Sequence, residues 1–319
     1  MSQKLVLFFL SVFSISSSFA SNAIDHAPIG VMGDHYHKTN ERMISIRYST
    51  MQMEGNSLHN NSISDQEIIT SQVNPFASMS GAPSYLSVVP QKMDMQMIMI
   101  GGMYAYSDNL TYMGMVMFMK NKMTSNTYKG GMDRAYLGNF QTSLDDLSNF
   151  SFSGLYKLVE KNDNRWHLEL GIDKSIGKNN NQGLMLTPMN TYMKMTMPYP
   201  MQMDESTRLI TALTNSKNFD GLVFGSQIKK YSVIEKEDWS FGDKLEISSW
   251  LQKPFDDSLS YSIRLLFTKE QNLSGSSSEI KSPVQSANPL NYGGSELEFG
   301  LGVNKIFKFF QKEHIRLGI

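Results

Sequence analysis

The segment Met93-Asp94-Met95-Gln96-Met97-Ile98-Met99-Ile100 carries a methionine at every second position. After a short turn, a second run repeats this spacing at Met113, Met115, Met117 and Met119. Residues two apart in an extended strand point to the same side of a sheet, whereas a helix would scatter them around its circumference. The two runs therefore predict neighbouring β-strands, each with a stripe of thioether groups on one face.

The same alternation recurs along most of the chain. In the segment 43–53, Ile44 and Ile46 share one face, while Arg47 lies on the other face with the methionines. A charged side chain facing lipid is costly, so the methionine face is predicted to look into a barrel lumen. There are about ten such segments, and one more strand begins at His314. They predict an all-β fold, an antiparallel transmembrane β-barrel of about 12 strands when complete.

The connections between these segments alternate in length. Short turns lie near 107–110, 161–164 and 254–257, and long polar segments cover 54–92, 124–148, 177–206 and 271–293. Short turns at one end and long loops at the other are typical of bacterial outer-membrane barrels. A periplasmic β-sandwich is the alternative, but it would not need the tyrosines that cluster around the first turn at Tyr104, Tyr106 and Tyr112.

The N-terminus has the pattern of a secretory signal peptide. Lys4 supplies a positive charge, residues 5–13 are mostly apolar, and Ser18-Phe19-Ala20 resembles a small-x-small cleavage site. We predict cleavage after Ala20. An uncleaved anchor is the alternative, although this apolar run is too short to span a bilayer as a helix. The predicted location is the outer membrane of a Gram-negative bacterium, surrounded by its lipid.

These features predict three parts of the chain. Residues 1–20 form the signal peptide, residues 21–41 a periplasmic segment with His and Met, and residues 42–319 the barrel. A barrel in lipid needs a closed ring of strands. The sequence ends within a predicted strand and without the terminal aromatic residue usual in bacterial barrels, so we expect the last strand or strands to be missing.

Composition excludes several classes of protein. The chain of 319 residues has no cysteine, so it forms neither disulfides nor thiolate metal sites. Its formal net charge of -1 argues against electrostatic binding of nucleic acid. Nucleophile-elbow, phosphate-loop and H-E-x-x-H patterns are absent from the sequence, so no enzyme is predicted. A hydrolase built on His167 and a nearby serine is the least favoured alternative.

The stretch His26-Ala27-Pro28-Ile29-Gly30-Val31-Met32-Gly33-Asp34-His35-Tyr36-His37, with Arg47-Tyr48 downstream, resembles a family of Met-rich bacterial outer-membrane β-barrel proteins. That family is catalogued as transporters and is akin to phenol-degradation meta-pathway channel proteins. Further similar stretches are 93–97, 146–156, 199–202 and 242–250. The resemblance implies an outer-membrane barrel that acts in transport, and the family's Met/His chemistry implies a connection with copper. This chain departs from the family mainly in that its sequence ends early, within a predicted strand.

The methionine stripes are the first candidate site. Thioether sulfur is a soft ligand that suits Cu(I), and two or three sulfurs from adjacent strands are enough to coordinate one ion. The alternative is that the methionines are flexible apolar filling of the lumen. The predicted ligands on the three strands are Met51, Met53, Met93, Met95, Met97, Met99, Met113, Met115, Met117 and Met119.

A second candidate site precedes the first predicted barrel strand. His35 and His37 form an H-x-H pair beside Asp34, with His26 and Met32 upstream. Imidazole suits Cu and Zn, and a carboxylate either orients an imidazole or ligates directly. The pair His35 and His37 is therefore predicted to bind metal on the periplasmic side. The alternative is a flexible peptide, or a barrel plug with solvated histidines.

Two further groups complete the candidates. Met-x-Met pairs at 193–197 and 201–203 either extend a metal path outward or pack inside the mouth of the barrel. Charged residues with lumenal parity predict cross-strand ion pairs or a ring that selects solutes. They are Arg47, Lys157, His167, Glu169, Asp173, Lys244, Glu246, Arg264, Glu296 and Glu298.

Together, these patterns predict an outer-membrane channel or binding protein whose methionine-lined lumen handles Cu(I) or Ag(I). The metal is cargo, and no resident cofactor is predicted. One alternative is a passive channel for small hydrophobic or aromatic solutes. Another is a plugged barrel that transports nothing. The expected partners are lipid and a soft metal ion or small hydrophobic solute; no nucleic acid and no particular protein partner is predicted.

Overall fold

The fold is described by a computed structural model, which covers residues 11–16, 23–28, 30–59, 61–310 and 313–319. Twelve strands form a closed barrel. In chain order they are β1 (Ser11–Ser16), β2 (Arg42–Glu54), β3 (Val88–Ser107), β4 (Leu110–Tyr128), β5 (Tyr136–Lys161), β6 (Asn164–Ser175), β7 (Thr207–Phe219), β8 (Leu222–Glu235), β9 (Lys244–Asp256), β10 (Leu259–Glu270), β11 (Gly294–Phe310) and β12 (Glu313–Gly318).

Each barrel strand pairs antiparallel with the strands before and after it, and β1 closes the ring by pairing with both β2 and β12. Val12 lies opposite Arg47 on one side and opposite Gly318 on the other. The structure thus confirms the predicted antiparallel β-barrel. One strand of this ring, β1, comes from the predicted signal peptide and not from the predicted barrel segment 42–319. The predicted cleavage site at Ser18-Phe19-Ala20 lies outside the described residues.

The outward face of the barrel is a belt of apolar side chains. Ile44, Ile46, Ile98 and Ile100 on β2 and β3 are between 44% and 58% exposed, although isoleucine is usually buried. Comparable exposed side chains continue around the ring and include Phe150, Phe152, Leu168, Leu170, Ile172, Ile228, Ile263, Leu265, Phe299 and Leu301. A continuous apolar surface of this kind matches the lipid-facing band of a transmembrane barrel.

Aromatic side chains mark the end of the barrel where the turns are short. Tyr106 and Tyr112 flank the β3–β4 turn with ring centroids 6.3 Å apart, and Tyr112 stacks on Phe152 at 5.7 Å. Phe255 and Tyr261 form a similar pair, 6.3 Å apart, beside the β9–β10 turn. Aromatic rings at this height are typical of the membrane–water interface.

The connections alternate in length as predicted, with one correction. Short turns occupy residues 108–109, 162–163, 220–221 and 257–258, and the opposite end carries 55–87, 129–135, 176–206, 236–243 and 271–293. The predicted long loop 124–148 is wrong, because β4 and β5 run through most of it. Strand pairing persists there because the inward side chains stay covered. Thr127 Oγ1, for example, donates a 3.0 Å hydrogen bond to the Leu186 carbonyl oxygen of an outer loop.

The long loops form a layer over one mouth of the barrel. Helix α1 (Asp65–Ser71) begins with a capping box between Ser64 and Glu67. Short paired strands are Ser57–Leu58 with Asn61–Ser62, Gln182–Leu186 with Tyr192–Thr196, and Trp239–Ser240 with Ser274–Gly275; the 3-10 helices are Tyr199–Met201, Gln285–Ala287 and Pro289–Asn291. The layer has its own apolar core, in which Tyr199 and Trp239 pack with Phe140 of β5. No helix among the described residues is long and apolar enough to cross a membrane.

Candidate functional site

The methionine stripes run side by side on β2, β3 and β4. Met97 of β3 lies opposite Met119 of β4, and Met95 of β3 lies opposite Met51 of β2. The same register opposes Met99 to Met117, Met103 to Met113 and Met53 to Met93. Directly opposed residues on one face of a sheet have Cβ atoms about 4.5–5.5 Å apart. Neighbouring thioethers are therefore within contact distance.

The predicted thioether residues differ in how far they are covered. Met113 is buried at the short-turn end with Met43, Met103 and Leu155. Met53, at the long-loop end of β2, is 41% exposed. The others are half-buried along the lumen and are Met51, Met93, Met95, Met97, Met99, Met115, Met117 and Met119. The middle of the stripe is therefore a lining and not a fully packed core.

Loop methionines close the outer end of the stripe. Met197, Met201 and Met203 are buried and pack with Met123 of β4. The other residues in or against this cluster are Leu144, Met93 and Met119. Packing inside the mouth, one of the two interpretations of the Met-x-Met pairs, thus describes these loop residues. Met193 differs, because it is 52% exposed.

A cavity of about 570 Å³ lies among the loops beyond this cluster, and we call it the outer cavity. Its walls are largely apolar and include Phe140, Leu186 and Val284, with Lys129 and Lys281 as charged contributors. Its methionines are Met79, Met123, Met185, Met189, Met193 and Met195. Methionine is flexible and polarizable, and it makes favourable contacts with aromatic rings. A cavity of this size and lining suits a small apolar molecule.

Residues 23–28 and 30–37, none of them exposed, lie inside the barrel at the short-turn end, and the exposed residues 38–40 lead from them to β2. We call residues 23–28 and 30–41 the plug. Ala23 N–H donates a 3.0 Å hydrogen bond to the carbonyl oxygen of Asp257 in the β9–β10 turn. Thr39 Oγ1 donates a 2.6 Å hydrogen bond to Asp108 in the β3–β4 turn. The structure thus places this part of the predicted periplasmic segment within the barrel, as a plug, and not free in solution.

Side chains of the barrel wall hold the plug chiefly by donating hydrogen bonds to the backbone carbonyl groups of the plug. His167 Nε2 donates a 2.8 Å hydrogen bond to the Gly33 carbonyl oxygen, and Gln227 Nε2 donates one of 3.0 Å to that of Met32. Gln252 Nε2 does the same for Ala23 at 2.9 Å. Further contacts on the plug come from Ser260 to Ala23, Arg316 to Ala27, and Arg47 to the sulfur of Met32.

The plug backbone approaches the wall closely at Gly33. This glycine has φ +66°, and a Cβ atom there would lie 2.8 Å from Glu169 Oε2 and 3.6 Å from Met113 Cε. Both the conformation and the contact therefore require glycine. Val31 and Ala27 add an apolar contact with the buried Trp250 of β9.

In the plug, the ring of His35 contacts the rings of both His26 and His37. His35 Nε2 and His37 Nε2 are 3.2 Å apart, and the ring centroids of His26 and His35 are 4.2 Å apart. His26, Asp34 and His35 each offer a ligand atom, and these atoms lie within 4.8 Å of one another. Burial lowers the pKa of His26 well below its ordinary value, and burial together with the neighbouring His35 lowers the pKa of His37 to about 3. His26 and His37 are therefore neutral imidazoles, the form that binds metal.

A second cavity, of about 440 Å³, opens beside these histidines at the short-turn end. Its lining includes His26, His35 and His37 together with the charged side chains of Lys157 and Glu160. Its walls are more polar than those of the outer cavity. The barrel thus has an apolar cavity at the long-loop end and a polar, histidine-lined cavity at the short-turn end.

The lumenal charges form ion pairs, which is one of the two predicted arrangements. Lys229 Nζ of β8 lies 2.9 Å from Glu169 Oε2 of β6, and both side chains are almost completely buried. Other pairs join Lys244 to Glu246 at 2.8 Å, Arg208 to Asp173 at 3.8 Å, and Arg264 to Glu298 at 3.9 Å. The pairs of Arg208 with Asp173 and of Arg264 with Glu298 join neighbouring strands, the pair of Lys229 with Glu169 reaches across β7, and the pair of Lys244 with Glu246 lies within β9.

The predicted site residues thus divide into two groups. His35 and His37 meet His26 in the plug, whereas the methionines line β2, β3 and β4. Sequence reasoning missed Glu41, whose Oε2 lies 3.3 Å from His37 Nδ1, and Lys229, the partner of Glu169. The four-residue spacing between His37 and Glu41 was a visible signal. Nothing local in the sequence marked Lys229.

Comparisons with known proteins give similarity in structure alone. No family model matches the sequence, and no curated protein matches it significantly. Among solved structures, an outer membrane channel from Pseudomonas putida F1 is similar, with a TM-score of 0.43 and 10% identity over 99% of this chain and 95% of that one.

Two further solved structures are similar to a comparable degree. A Pseudomonas aeruginosa FadL homologue has a TM-score of 0.42 and 10% identity, covering 98% of this chain and 80% of that chain. The Pseudomonas putida toluene transporter TodX has a TM-score of 0.39 and 10% identity, covering 98% and 87%. Similarities of this size do not identify a solute for the present chain.

Proposed function

We propose that this protein is a passive outer-membrane channel for small hydrophobic or aromatic solutes. The observation that carries the proposal is the position of Met123. It lines the outer cavity and also packs in the cluster that Met93 and Met119 of the stripe contact. Apolar side chains are therefore continuous from the loop layer into the lumen. A solute bound among the loops would therefore pass along apolar side chains into the barrel once the cluster at the mouth opens.

The chemistry of this path favours apolar solutes over ions. Thioethers and aromatic rings offer dispersion contacts but almost no hydrogen bonds, so a charged solute would lose its hydration without replacement. At the far end, the plug and the buried pair of Glu169 and Lys229 close the lumen. Passage therefore requires the plug to shift, and the cluster of Met197, Met201 and Met203 at the mouth to open.

The membrane location in this proposal rests on the barrel surface. The outward belt of Ile44, Ile46, Ile98 and Ile100 is exposed to the surroundings, and lipid is the environment in which such a belt is stable. The proposed route to the outer membrane is export by the predicted signal peptide, with short turns on the periplasmic side.

Equilibrium binding of radiolabelled toluene tests the proposal. The protein is placed in lipid nanodiscs and dialysed against the solute, with empty nanodiscs as the background. The double variant Met189→Glu/Met193→Glu puts charge into the outer cavity at two side chains that are 69% and 52% exposed, so the fold is retained. We expect saturable binding by the wild type and its loss in this variant.

The matched control is Met132→Glu, because Met132 is fully exposed in the loop 129–135 and is not a lining residue of the outer cavity. We expect it to bind toluene as the wild type does. Equal binding by the wild type and the double variant would show that the outer cavity is not the solute site. No saturable binding to the wild type would refute the proposed channel for small aromatic solutes.

Soft-metal handling is the second candidate function, and the direct opposition of thioethers on three strands favours it. Met51 with Met95 and Met97 with Met119 place pairs of sulfurs close enough to share one Cu(I) or Ag(I) ion. The test is Ag(I) titration of the wild type and of a variant with leucine at Met95, Met97, Met115 and Met117. Leucine conserves the apolar lining but removes the sulfur.

The two candidates predict different results for this leucine variant. If the stripe is a metal path, the variant loses tight Ag(I) binding. If the stripe is only an apolar lining, the leucine variant keeps toluene binding, and Ag(I) binding is equally weak in the wild type and in the variant. Volume-conserving Met→Leu changes are well tolerated, so the comparison is made on folded protein.

A further inference from the structure

We infer that the plug contains a binding site for a divalent transition metal of the Zn²⁺ or Cu²⁺ class, centred on His35 and drawn from its neighbours His26, Asp34 and His37. The His35 ring contacts the rings of both other histidines at one end of the barrel, beside the cavity of about 440 Å³, and the ligand atoms of His26, Asp34 and His35 lie within 4.8 Å of one another. This site lies apart from the apolar outer cavity, so it does not depend on the proposed solute channel.

The spacing of the histidine nitrogens matches that of ligands on one ion. Two ligands of a tetrahedral metal with metal–nitrogen bonds of 2.0–2.1 Å lie about 3.3–3.4 Å apart. The separation of 3.2 Å between His35 Nε2 and His37 Nε2 is close to that value. Without an ion, at least one of the two nitrogens must carry a hydrogen in order to avoid facing lone pairs.

Carboxylates lie behind both of these rings. Asp34 Oδ1 is 3.0 Å from His35 Nδ1, and Glu41 Oε2 is 3.3 Å from His37 Nδ1. At His37 this contact is a hydrogen bond, whereas His35 Nδ1 has no hydrogen-bond partner among the described residues. A carboxylate at Nδ1 favours the hydrogen on that nitrogen and leaves the Nε2 lone pair free, which is the usual arrangement behind a metal-bound histidine. In this tautomer the Nε2 lone pair of His37 points to Nε2 of His35, where a shared cation would stabilise it.

His26 lies on His35, and its ligand atom groups with those of Asp34 and His35. Its side chain is only 5% exposed, and its Nδ1 has no hydrogen-bond partner among the described residues. An unpaired buried nitrogen is costly, and coordination would satisfy it. The carboxylates of Asp34 and Glu41 supply the negative charge that offsets a divalent ion, and Arg316, which donates a 2.9 Å hydrogen bond to Asn304, is a nearby positive charge.

Imidazole and carboxylate ligands also determine the kind of metal. They suit Zn²⁺ and Cu²⁺, whereas Cu(I) prefers the thioethers of the stripe. An ion bound here joins His26 to His35 and His37 and so closes a loop of the plug. Asp34 Oδ2 already accepts a 2.7 Å hydrogen bond from Ala27 N–H across the same loop. Metal binding is therefore expected to fix the conformation of the plug.

Zn²⁺ titration by calorimetry on the full, untagged protein in nanodiscs tests this site. We expect one Zn²⁺ per chain for the wild type. The variant His35→Gln/His37→Gln should weaken binding by more than about 100-fold, because loss of an outer partner alone costs about 10–100-fold. Asp34→Asn, which removes the charge behind His35, should fall within that smaller range. His59→Asn is the matched control, because His59 is exposed in an outer loop, and its affinity should not change.

Two further readouts separate a real site from unspecific binding. With Cu²⁺, electron paramagnetic resonance should show nitrogen coupling in the wild type that the His35→Gln/His37→Gln variant lacks. Zn²⁺ should also slow tryptic cleavage after the exposed Lys38 in the wild type but not in this variant. Unchanged affinity in that variant, or a folded wild type that binds no Zn²⁺, would overturn the inference.

Discussion

Breaking the buried ion pair between Glu169 and Lys229 should destabilise the barrel strongly. The variant Lys229→Met conserves most of the side-chain length but leaves the carboxylate of Glu169 without its partner. Glu169 is 0% exposed, and its second oxygen, Oε1, has no hydrogen-bond partner among the described residues. Removing one member of a buried pair costs about 3–5 kcal/mol, because an uncompensated charge stays in the interior. We expect a loss of this size in the free energy of unfolding.

The assay is urea unfolding of the protein in liposomes, followed by tryptophan fluorescence. The double variant Glu169→Met/Lys229→Met should recover most of the loss, because replacing both members of a buried pair by apolar side chains is often neutral. Lys129→Met, in the exposed pair with Asp133, is the control and should leave the unfolding midpoint unchanged. If Lys229→Met unfolds at the same urea concentration as Lys129→Met, the pair is hydrated in the lumen and the reasoning fails.

Three further predictions concern the plug, the lipid face and the N-terminus. Gly33→Ala should displace the plug, because a Cβ would lie 2.8 Å from Glu169 Oε2. Amide hydrogen exchange in residues 26–37 should therefore become faster, and an unchanged exchange rate would contradict the close contact. Ile100→Lys should destabilise the inserted barrel by up to about 4 kcal/mol in urea unfolding, and an unchanged midpoint would mean that Ile100 does not face lipid. Intact mass of the exported protein should show that residues 1–20 are gone, in which case the ring must close between β2 and β12 without β1. A retained segment would instead keep β1 in the ring.

Alternation was sufficient to predict the barrel, because the period of two is a local property of each strand. The register of Met97 opposite Met119 follows from the short turn at 108–109 between the stripes. The loop 124–148 was mispredicted because polar residues there suggested a surface segment. In the structure their inward members stay buried under the outer loops, so strand pairing continues.

The plug illustrates what sequence alone does not provide. The H-x-H pair and Asp34 were visible as possible ligands, but their position inside the barrel depends on distant partners such as His167 and Gln227. The contact of His37 with Glu41 was within reach of local reasoning, whereas the pairing of Glu169 with Lys229 depends on β6 and β8 flanking β7. Local pattern thus predicts which residues face inward, and long-range contacts decide what they meet there.

The barrel wall holds the plug mainly through backbone groups, so the anchoring contacts depend little on the plug's side chains. Gln252, Gln227 and His167 donate hydrogen bonds to backbone carbonyl oxygens of the plug, and every amino acid has such an oxygen. Apart from tight positions such as Gly33, the identity of a plug side chain is therefore free to change without loss of these anchors. A designer could exchange the histidines for other ligands and keep the same docking. The barrel interior is thus a binding site for a peptide segment whose side chains are replaceable.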